Sequence, residues 1–245
     1  MIKNQAILSP LVSALKKRSF SVLSPLKTTT ATFNESAAET NDNQVPISSQ
    51  YKPLSGAQRA YLDRVIRVDQ AGELGADYIY AGQYWVLANK TPHLKPVIQH
   101  MWDQEIHHHN TFNNLQVKHN VRPSLFTPLW KIGAFAMGAG TALISPQAAM
   151  ACTEAVETVI GGHYNDQLRA LNTEFEVEKL DGSKVSGKSV EVKELIETIR
   201  EFRDDELEHL DTAIKYDSHK AVPYMLLTEG IKTICRVAIW TAERV

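Results

Sequence analysis

The sequence predicts an all-α fold, an antiparallel bundle of long helices. Three observations carry that expectation. From residue 54 onward, apolar side chains recur at intervals of three and four, the repeat of helices with one buried stripe. The breaks between these stretches hold helix start signals: Ser55 with Gln58, Thr91-Pro92 and Ser145-Pro146. No run of alternating apolar and polar residues is long enough to build a sheet. With 245 residues, 43% of them hydrophobic and 22% charged, the chain can bury a sizeable core in one domain.

The elements follow in order. Residues 1 to 34 carry Lys3, Lys16, Lys17, Arg18 and Lys27 and no acid, are rich in Ser and Thr, and place a short apolar face at Ile7 to Leu15. That is the signature of a mitochondrial transit peptide; a disordered basic tail is the plainer alternative. Residues 35 to 53 read as a linker, and 54 to 245 as the folded domain. A first helix runs from the capping box at Ser55 and Gln58 to about Ala88. Thr91-Pro92 opens a second, to about Lys118. Ser145-Pro146 opens another, to about Leu171. Residues 172 to 188, charged and Gly/Ser-bearing, read as a loop or insertion. A long helix then reaches about Tyr216, and a last one runs from about Lys220 with Pro223 in its first turn. Between the second and third polar-cored helices lies LWKIGAFAMGAGTALI, residues 129 to 144, apolar nearly all round. It is shorter than the roughly 20 residues that span a bilayer. It suits a helix lying in a membrane interface or one buried in the core. The last helix adds Ile231, Ile234, Val237, Ile239 and Trp240. The glycines of MGAGTA fit close helix packing; no strand precedes them, as a dinucleotide loop would need.

Composition excludes some functions. A formal charge of −2, with no basic stripe and no nucleic-acid motif, gives no reason to expect a nucleic-acid partner. Of the 26 basic residues five lie in the first 34, whereas all 28 acidic ones lie beyond, so the folded part is acidic. Cys152 and Cys235, isolated in helical context, make neither a disulfide framework nor a zinc site.

Four helical seams carry an anomaly. Leu62, Ile66, Asp69, Glu73, Ala76 and Tyr80 share the first, and Ile98, Met101, Glu105, His108, Phe112 and Leu115 the second. Met150, Thr153, Glu157, Ile160, Tyr164, Leu168 and Leu171 share the third, and Leu195, Ile199, Phe202, Glu206, His209, Ala213 and Tyr216 the fourth. Each largely apolar seam thus carries one glutamate near its middle, and two add a histidine three residues later. Buried carboxylates cost several kcal/mol each when unpaired, and four together cannot all ionise unaided. Two divalent cations would balance four glutamates, with two imidazoles completing the shells. One Glu from each of two helices and Glu-x-x-His from each of two more is the pattern of ferritin-like di-iron or di-manganese bundles. The chain reads as a duplicated unit, Glu73 then Glu105/His108, and Glu157 then Glu206/His209. His107, His109, Glu154 and Glu208 lie beside these residues and are expected to be solvated or to support the ligands.

Several stretches carry a resemblance: RVDQAGELGADYIYAGQ (67 to 83), MWDQEIHHHNTFN (101 to 113), PLW and GAGTALI within 128 to 144, MACTEAVETVIGGHYNDQL (150 to 168), FRDDELEHLD (202 to 211) and CRVAIWTAER (235 to 244). Over about residues 55 to 245 the chain resembles the 5-demethoxyubiquinone hydroxylase family, mitochondrial di-iron monooxygenases of ubiquinone biosynthesis. The resemblance implies a ferritin-like four-helix bundle with added membrane-interfacial helices. It implies two iron ions on Glu73, Glu105, His108, Glu157, Glu206 and His209, with Glu105 and Glu206 bridging. His163 and Tyr164 match a histidine and tyrosine near the family's substrate pocket, and Arg236 a basic residue of its last helix. It further implies hydroxylation of a polyprenyl-tailed demethoxyquinol by O2, with NADH as electron donor. The expected place is the matrix side of the mitochondrial inner membrane, held peripherally, with a lipid-binding accessory protein and other ubiquinone-synthesis enzymes as partners. Two features depart from the pattern: the longer 172 to 188 segment, and Trp240 where many relatives have tyrosine. A ferritin-like iron store, a metal-free membrane scaffold and a soluble acyl- or alkane-oxidising enzyme are the alternatives.

Overall fold

A computed structural model describes residues 51 to 185 and 187 to 245. The expected transit peptide and most of the expected linker lie outside the described residues. Among the described residues six α-helices follow one another: α1 (Gly56–Lys90), α2 (Lys95–His119), α3 (Thr127–Ile144), α4 (Pro146–Glu174), α5 (Val190–Lys215) and α6 (Tyr224–Ala242). The all-α expectation holds. α1, α2, α4 and α5 form the bundle. α3 packs mainly on α1 and α6 mainly on α4, both outside the bundle, where Ile79, Ala134, Cys152, Val156 and Ile231 share one apolar cluster.

Most helix starts obey their local chemistry. The Ser55 hydroxyl accepts from the Gln58 amide while the Gln58 side chain accepts from the Ser55 amide. Ser145 and Ser189 cap α4 and α5 in the same way, through the amides of Ala148 and Val192. Two starts differ from expectation. Thr91 closes α1, with its amide bonded to the Leu87 carbonyl, and α2 begins only at Lys95, with Pro96 in its first turn. The second Pro signal, four residues on, takes the N-terminal position because Leu94 must bury in the core. At the other end, Ser218–Lys220 forms a 3-10 turn, and α6 starts after Pro223 rather than at Lys220. Residues 172 to 188 are not all loop. α4 extends to Glu174, and β1 (Val177–Glu178) pairs antiparallel with β2 (Lys184–Val185). The end of the expected linker joins this hairpin: Tyr51 bridges Lys179, and Lys52 pairs with Glu178 at 2.8 Å.

α3 packs with its small residues inward. Ala134, Gly138, Ala139, Thr141 and Ala142 are buried, whereas Leu129, Ile132, Leu143 and Ile144 are 57–70% exposed. The small face lets the α1 and α3 backbones touch. A Cβ at Gly82 would sit 2.5 Å from the Phe135 carbonyl oxygen, and one at Gly138 would overlap the Ile79 carbonyl. Backbone on both sides leaves no room to yield. Gly138→Ala is therefore expected to destabilise by about 3 kcal/mol, at the upper end of overpacking costs. Gly133→Ala, where nothing lies within 4 Å, should leave stability unchanged or slightly raised. Thermal melts of the two variants decide it; equal melting temperatures would refute the close-contact account.

Candidate metal centre

The bundle interior has an apolar plug at each end. Leu62, Ile66, Phe112, Leu171, Ile199 and Phe202 fill one end. Leu87, Leu94, Ile98, Met101, Met150 and Ala213 fill the other. Between them the four seams converge, and Glu73, Glu105, His108, Glu157, Glu206 and His209 are each at most 1% exposed. They form two overlapping sets whose ligand atoms lie within 4.8 Å of one another: Glu73, Glu105, His108 and Glu206, and Glu105, Glu157, Glu206 and His209. Glu105 and Glu206 belong to both sets.

The imidazoles are oriented alike. His108 Nδ1 faces Glu73 Oε2 and Glu206 Oε1, each at 3.4 Å, while its Nε2 meets Asp205 Oδ2 at 3.0 Å. His209 Nδ1 faces Glu105 Oε1 at 3.1 Å and Glu206 Oε2 at 3.3 Å, while its Nε2 meets Gln104 Oε1 at 3.1 Å. A carboxylate or amide oxygen only accepts, so each Nε2 carries a proton and each Nδ1 is left to point inward. The Phe202 ring stacks on His108 at 3.9 Å between centroids. Tyr80 donates to Glu157 Oε1 at 2.9 Å, and Tyr164 donates to Glu73 Oε1.

These bonds leave a specific remainder. Glu73 Oε2, both oxygens of Glu105 and of Glu206, Glu157 Oε2, and the Nδ1 atoms of His108 and His209 are buried with no hydrogen-bond partner. Eight orphaned acceptors and ring nitrogens aimed at one small volume fit a pair of divalent cations, which want oxygen with a little imidazole. Among the described residues, none of these atoms has a hydrogen-bond partner.

Without metal, protons must do that work. Burial alone would lower His108, but the Glu206 and Glu73 carboxylates outweigh it and push the imidazole up to about 12. Burial likewise opposes the rise of His209, which Glu105 and Glu206 carry to about 11. Glu206 is drawn down to about 2 against its burial, because the imidazoles of His108 and His209 lie beside it and favour its charge. Burial and the nearby Glu206 push Glu105 up to about 8, and burial with Glu206 and Glu105 sends Glu157 well above the carboxylate range. Groups raised on folding stabilise below their unfolded pKa and lose that stabilisation as pH climbs towards the folded value. Glu105 gives up its share between 4.5 and about 8, and His108 gives up its own from 6.5 towards about 12. Glu206, lowered, acts the other way, and only as pH falls towards about 2. The metal-free protein should thus melt progressively lower as pH rises above neutrality. Metal, which takes the place of the protons, should add more stability the higher the pH. Melts under nitrogen at about pH 6, 7.5 and 9, with and without Fe(II), measure both trends, with half-points set by general linkage. A metal increment independent of pH would contradict the assignment.

Of the three residues expected beside the ligands, only Tyr164 touches them. His163 accepts at Nε2 from the Gln167 amide at 2.9 Å and lies 3.7 Å from Asp69 Oδ1. Arg236 is on the surface, lining with His163, Trp240 and Glu243 a groove between α4 and α6. Of the neighbours, His107 and Glu208 are exposed, and His109 bonds Asp77 at 3.1 Å. Glu154 is neither solvated nor near the ligands: it is buried and accepts from Tyr224 and His219, tying α4 to the start of α6. Sequence reasoning missed Asp205, Gln104 and the function of Tyr80. A signal was present: each of Gln104 and Asp205 precedes a Glu-x-x-His, and Tyr80 follows Glu73 by seven residues as Tyr164 follows Glu157.

Known proteins are similar to this chain over most of its length. The chain is 71% identical to the 5-demethoxyubiquinone hydroxylase, mitochondrial, of Saccharomyces cerevisiae, over 93% of this chain and 95% of the relative. It is 47% identical to the NADPH-dependent 3-demethoxyubiquinone 3-hydroxylase, mitochondrial, of Homo sapiens, over 82% of this chain and 85% of that one. It is 41% identical to the 3-demethoxyubiquinol 3-hydroxylase of Rhodospirillum rubrum, over 79% and 82%. The model of one family, Ubiquinone biosynthesis protein COQ7, matches residues 60–242, all six converging residues among them, and the chain belongs to that family.

Proposed function

We propose that this chain hydroxylates the ring of a polyprenyl-tailed demethoxyubiquinol with O2, a step of ubiquinone biosynthesis, at a di-iron centre held by Glu73, Glu105, His108, Glu157, Glu206 and His209. The single observation that carries the metal reading is the convergence of eight unpartnered buried ligand atoms. Iron held by these six residues would supply the redox and Lewis-acid chemistry for activating O2, of which one atom is destined for the ring and the other for water. The protein's own contribution is geometric. Glu105 and Glu206 reach both positions, Tyr80 and Tyr164 fix the free rotation of the end carboxylates, and the apolar plugs keep water from the centre.

The reductant closes the balance with two electrons per turnover. The resemblance points to NADH, whereas the printed name of the human relative specifies NADPH. No Gly-rich strand-to-helix unit for either is present among the described residues.

The exposed surface supports membrane attachment. Leu125, Leu129, Ile132, Leu143 and Ile144 of the α3 region and Met225, Leu226, Ile234, Val237 and Trp240 of α6 form an exposed apolar face. Such a face on one side of a protein marks a membrane or partner contact. No described helix is long and apolar enough to cross a membrane. A face lying in the interface is the reading that these side chains support, and the Arg244 guanidinium stacked 4.2 Å over the Trp240 ring suits a headgroup boundary. There the enzyme takes a substrate whose tail stays in the lipid. The site is the matrix face of the mitochondrial inner membrane, beside a lipid-binding accessory protein and other enzymes of the same synthesis.

The test is direct. Full-length protein loaded with Fe(II) is given a demethoxyubiquinol, a reductant and 18O2, and the products are read by mass spectrometry. The expected product is one oxygen heavier and carries the 18O label. Unlabelled product, or none from metal-loaded protein, would overturn the reading.

A further inference from the structure

The bundle repeats its own site. In the first half Glu73 is followed after seven residues by Tyr80, and then come Gln104, Glu105 and His108. In the second half Glu157 is followed after seven residues by Tyr164, and then come Asp205, Glu206 and His209. The halves support each other crosswise. Tyr80 donates to Glu157 and Tyr164 to Glu73. His108 Nε2 is held by Asp205 and His209 Nε2 by Gln104. Each of these crossed pairs matches in chemical type except the last, a carboxylate in one half and a neutral amide in the other.

We propose that this difference makes the two metal positions unequal: the His108 position binds a divalent cation more tightly than the His209 position and fills first. The inference rests on the six-residue metal reading above. A carboxylate accepting the Nε2 proton pushes electron density toward Nδ1 and makes that nitrogen a stronger donor. Asp205 can only accept, so it fixes the tautomer of His108 with Nδ1 free for metal. Gln104 also offers an NH2. Turned by half a rotation, it would place the proton of His209 on Nδ1, where it blocks the cation. The Asp205 side chain, 29% exposed, keeps part of its charge screened by water, so its action is chiefly through the hydrogen bond. Outer-shell partners of this kind are worth about 10–100-fold in metal affinity. Asp205 is a positioning residue, because it meets the metal only through His108.

The probe is Co(II), titrated into metal-free full-length protein in detergent and followed by calorimetry and by its d–d absorbance. Wild type should show two steps separated by about tenfold or more. Asp205→Asn should weaken the first step by about 10–100-fold and draw the two together. Gln104→Glu, which keeps the length of the side chain that meets His209 at 3.1 Å, should strengthen the second step by a similar factor and leave the first unchanged. This second variant swaps only the amide for a carboxylate, so it does not depend on Asp205→Asn folding well. A first step indifferent to Asp205→Asn, or a second step indifferent to Gln104→Glu, would overturn the inequality while leaving the two-metal site standing. Failure of wild type to bind Co(II) at all would instead overturn the metal reading itself.

Discussion

Glu206→Gln should lose metal at both positions and also destabilise the metal-free protein, whereas Glu157→Gln should lose metal at one position and leave the metal-free protein about as stable as before. The contrast follows from charge. Glu206 lies against both imidazoles, 3.4 Å from His108 Nδ1 and 3.3 Å from His209 Nδ1, and stays ionised against its burial. Taking its charge away leaves two buried imidazoliums short of a counter-ion, and breaking such buried pairs costs about 3–5 kcal/mol. For a domain of this size that is a fall in Tm of roughly 10 °C. Burial and its neighbours Glu206 and Glu105 push Glu157 well above the carboxylate range, which favours its neutral form when no metal is bound. Glutamine mimics that neutral form, and its carbonyl still accepts from Tyr80, which lies 2.9 Å from Glu157 Oε1. Iron per chain by elemental analysis should fall from about two to below about 0.2 in Glu206→Gln and to about one in Glu157→Gln, given one shared and one single-position ligand. Retention of two irons in Glu206→Gln, or an equal loss of metal-free stability in both variants, would break the account.

How much of this could be read before the structure depends on which forces act locally. The six converging residues were legible because a buried helix face forbids charge, and each seam broke that rule near its middle. The bundle was legible for the same reason, since periodicity is a property of one helix at a time. Ser55 and Ser145 were legible as caps because the bond they make reaches only three residues ahead.

What escaped was set by partners distant in sequence. Thr91-Pro92 carries a valid start signal, yet burial of Leu94 and the cap of α1 on Thr91 override it. Glu154 looks like a solvent-facing neighbour of Glu157; only the return of α6 brings Tyr224 and His219 over it. Asp205 and Gln104 are exposed-looking residues between charged neighbours, and their bonds to His108 and His209 cross 97 and 105 residues of chain. The glycine pair of α3 was read as close packing, but that Gly138 meets α1 at Ile79 needs the tertiary contact. The hairpin at Val177–Glu178 and Lys184–Val185 has strands too short for a period-two pattern to register.

The apolar face yields the second large effect. Ile132→Glu, Leu226→Glu and Val237→Glu together should abolish binding to lipid vesicles while leaving two irons per chain. All three side chains point outward, 70%, 75% and 58% exposed, so nothing in the fold needs them. The inward side of α3 is made of Ala134, Gly138, Ala139 and Ala142, and the core does not change. Burying one such side chain in an apolar phase is worth about 1.5–3 kcal/mol, and each glutamate adds the cost of keeping a charge near lipid. Three losses should lower vesicle partitioning by about 50- to 2,000-fold, even if each site realises only half of that value. The same variant separates substrate delivery from chemistry. A quinol with a short, water-soluble tail reaches the centre without the membrane, so its turnover should survive. The long-tailed quinol, presented in vesicles, should not be turned over. Flotation with vesicles measures the first effect, and paired assays on the two substrates measure the second. A triple variant that floats as wild type does would remove the interfacial role of α3 and α6. Loss of turnover on both substrates, with the irons in place, would show that the face serves the chemistry itself rather than the approach of a membrane-bound ring.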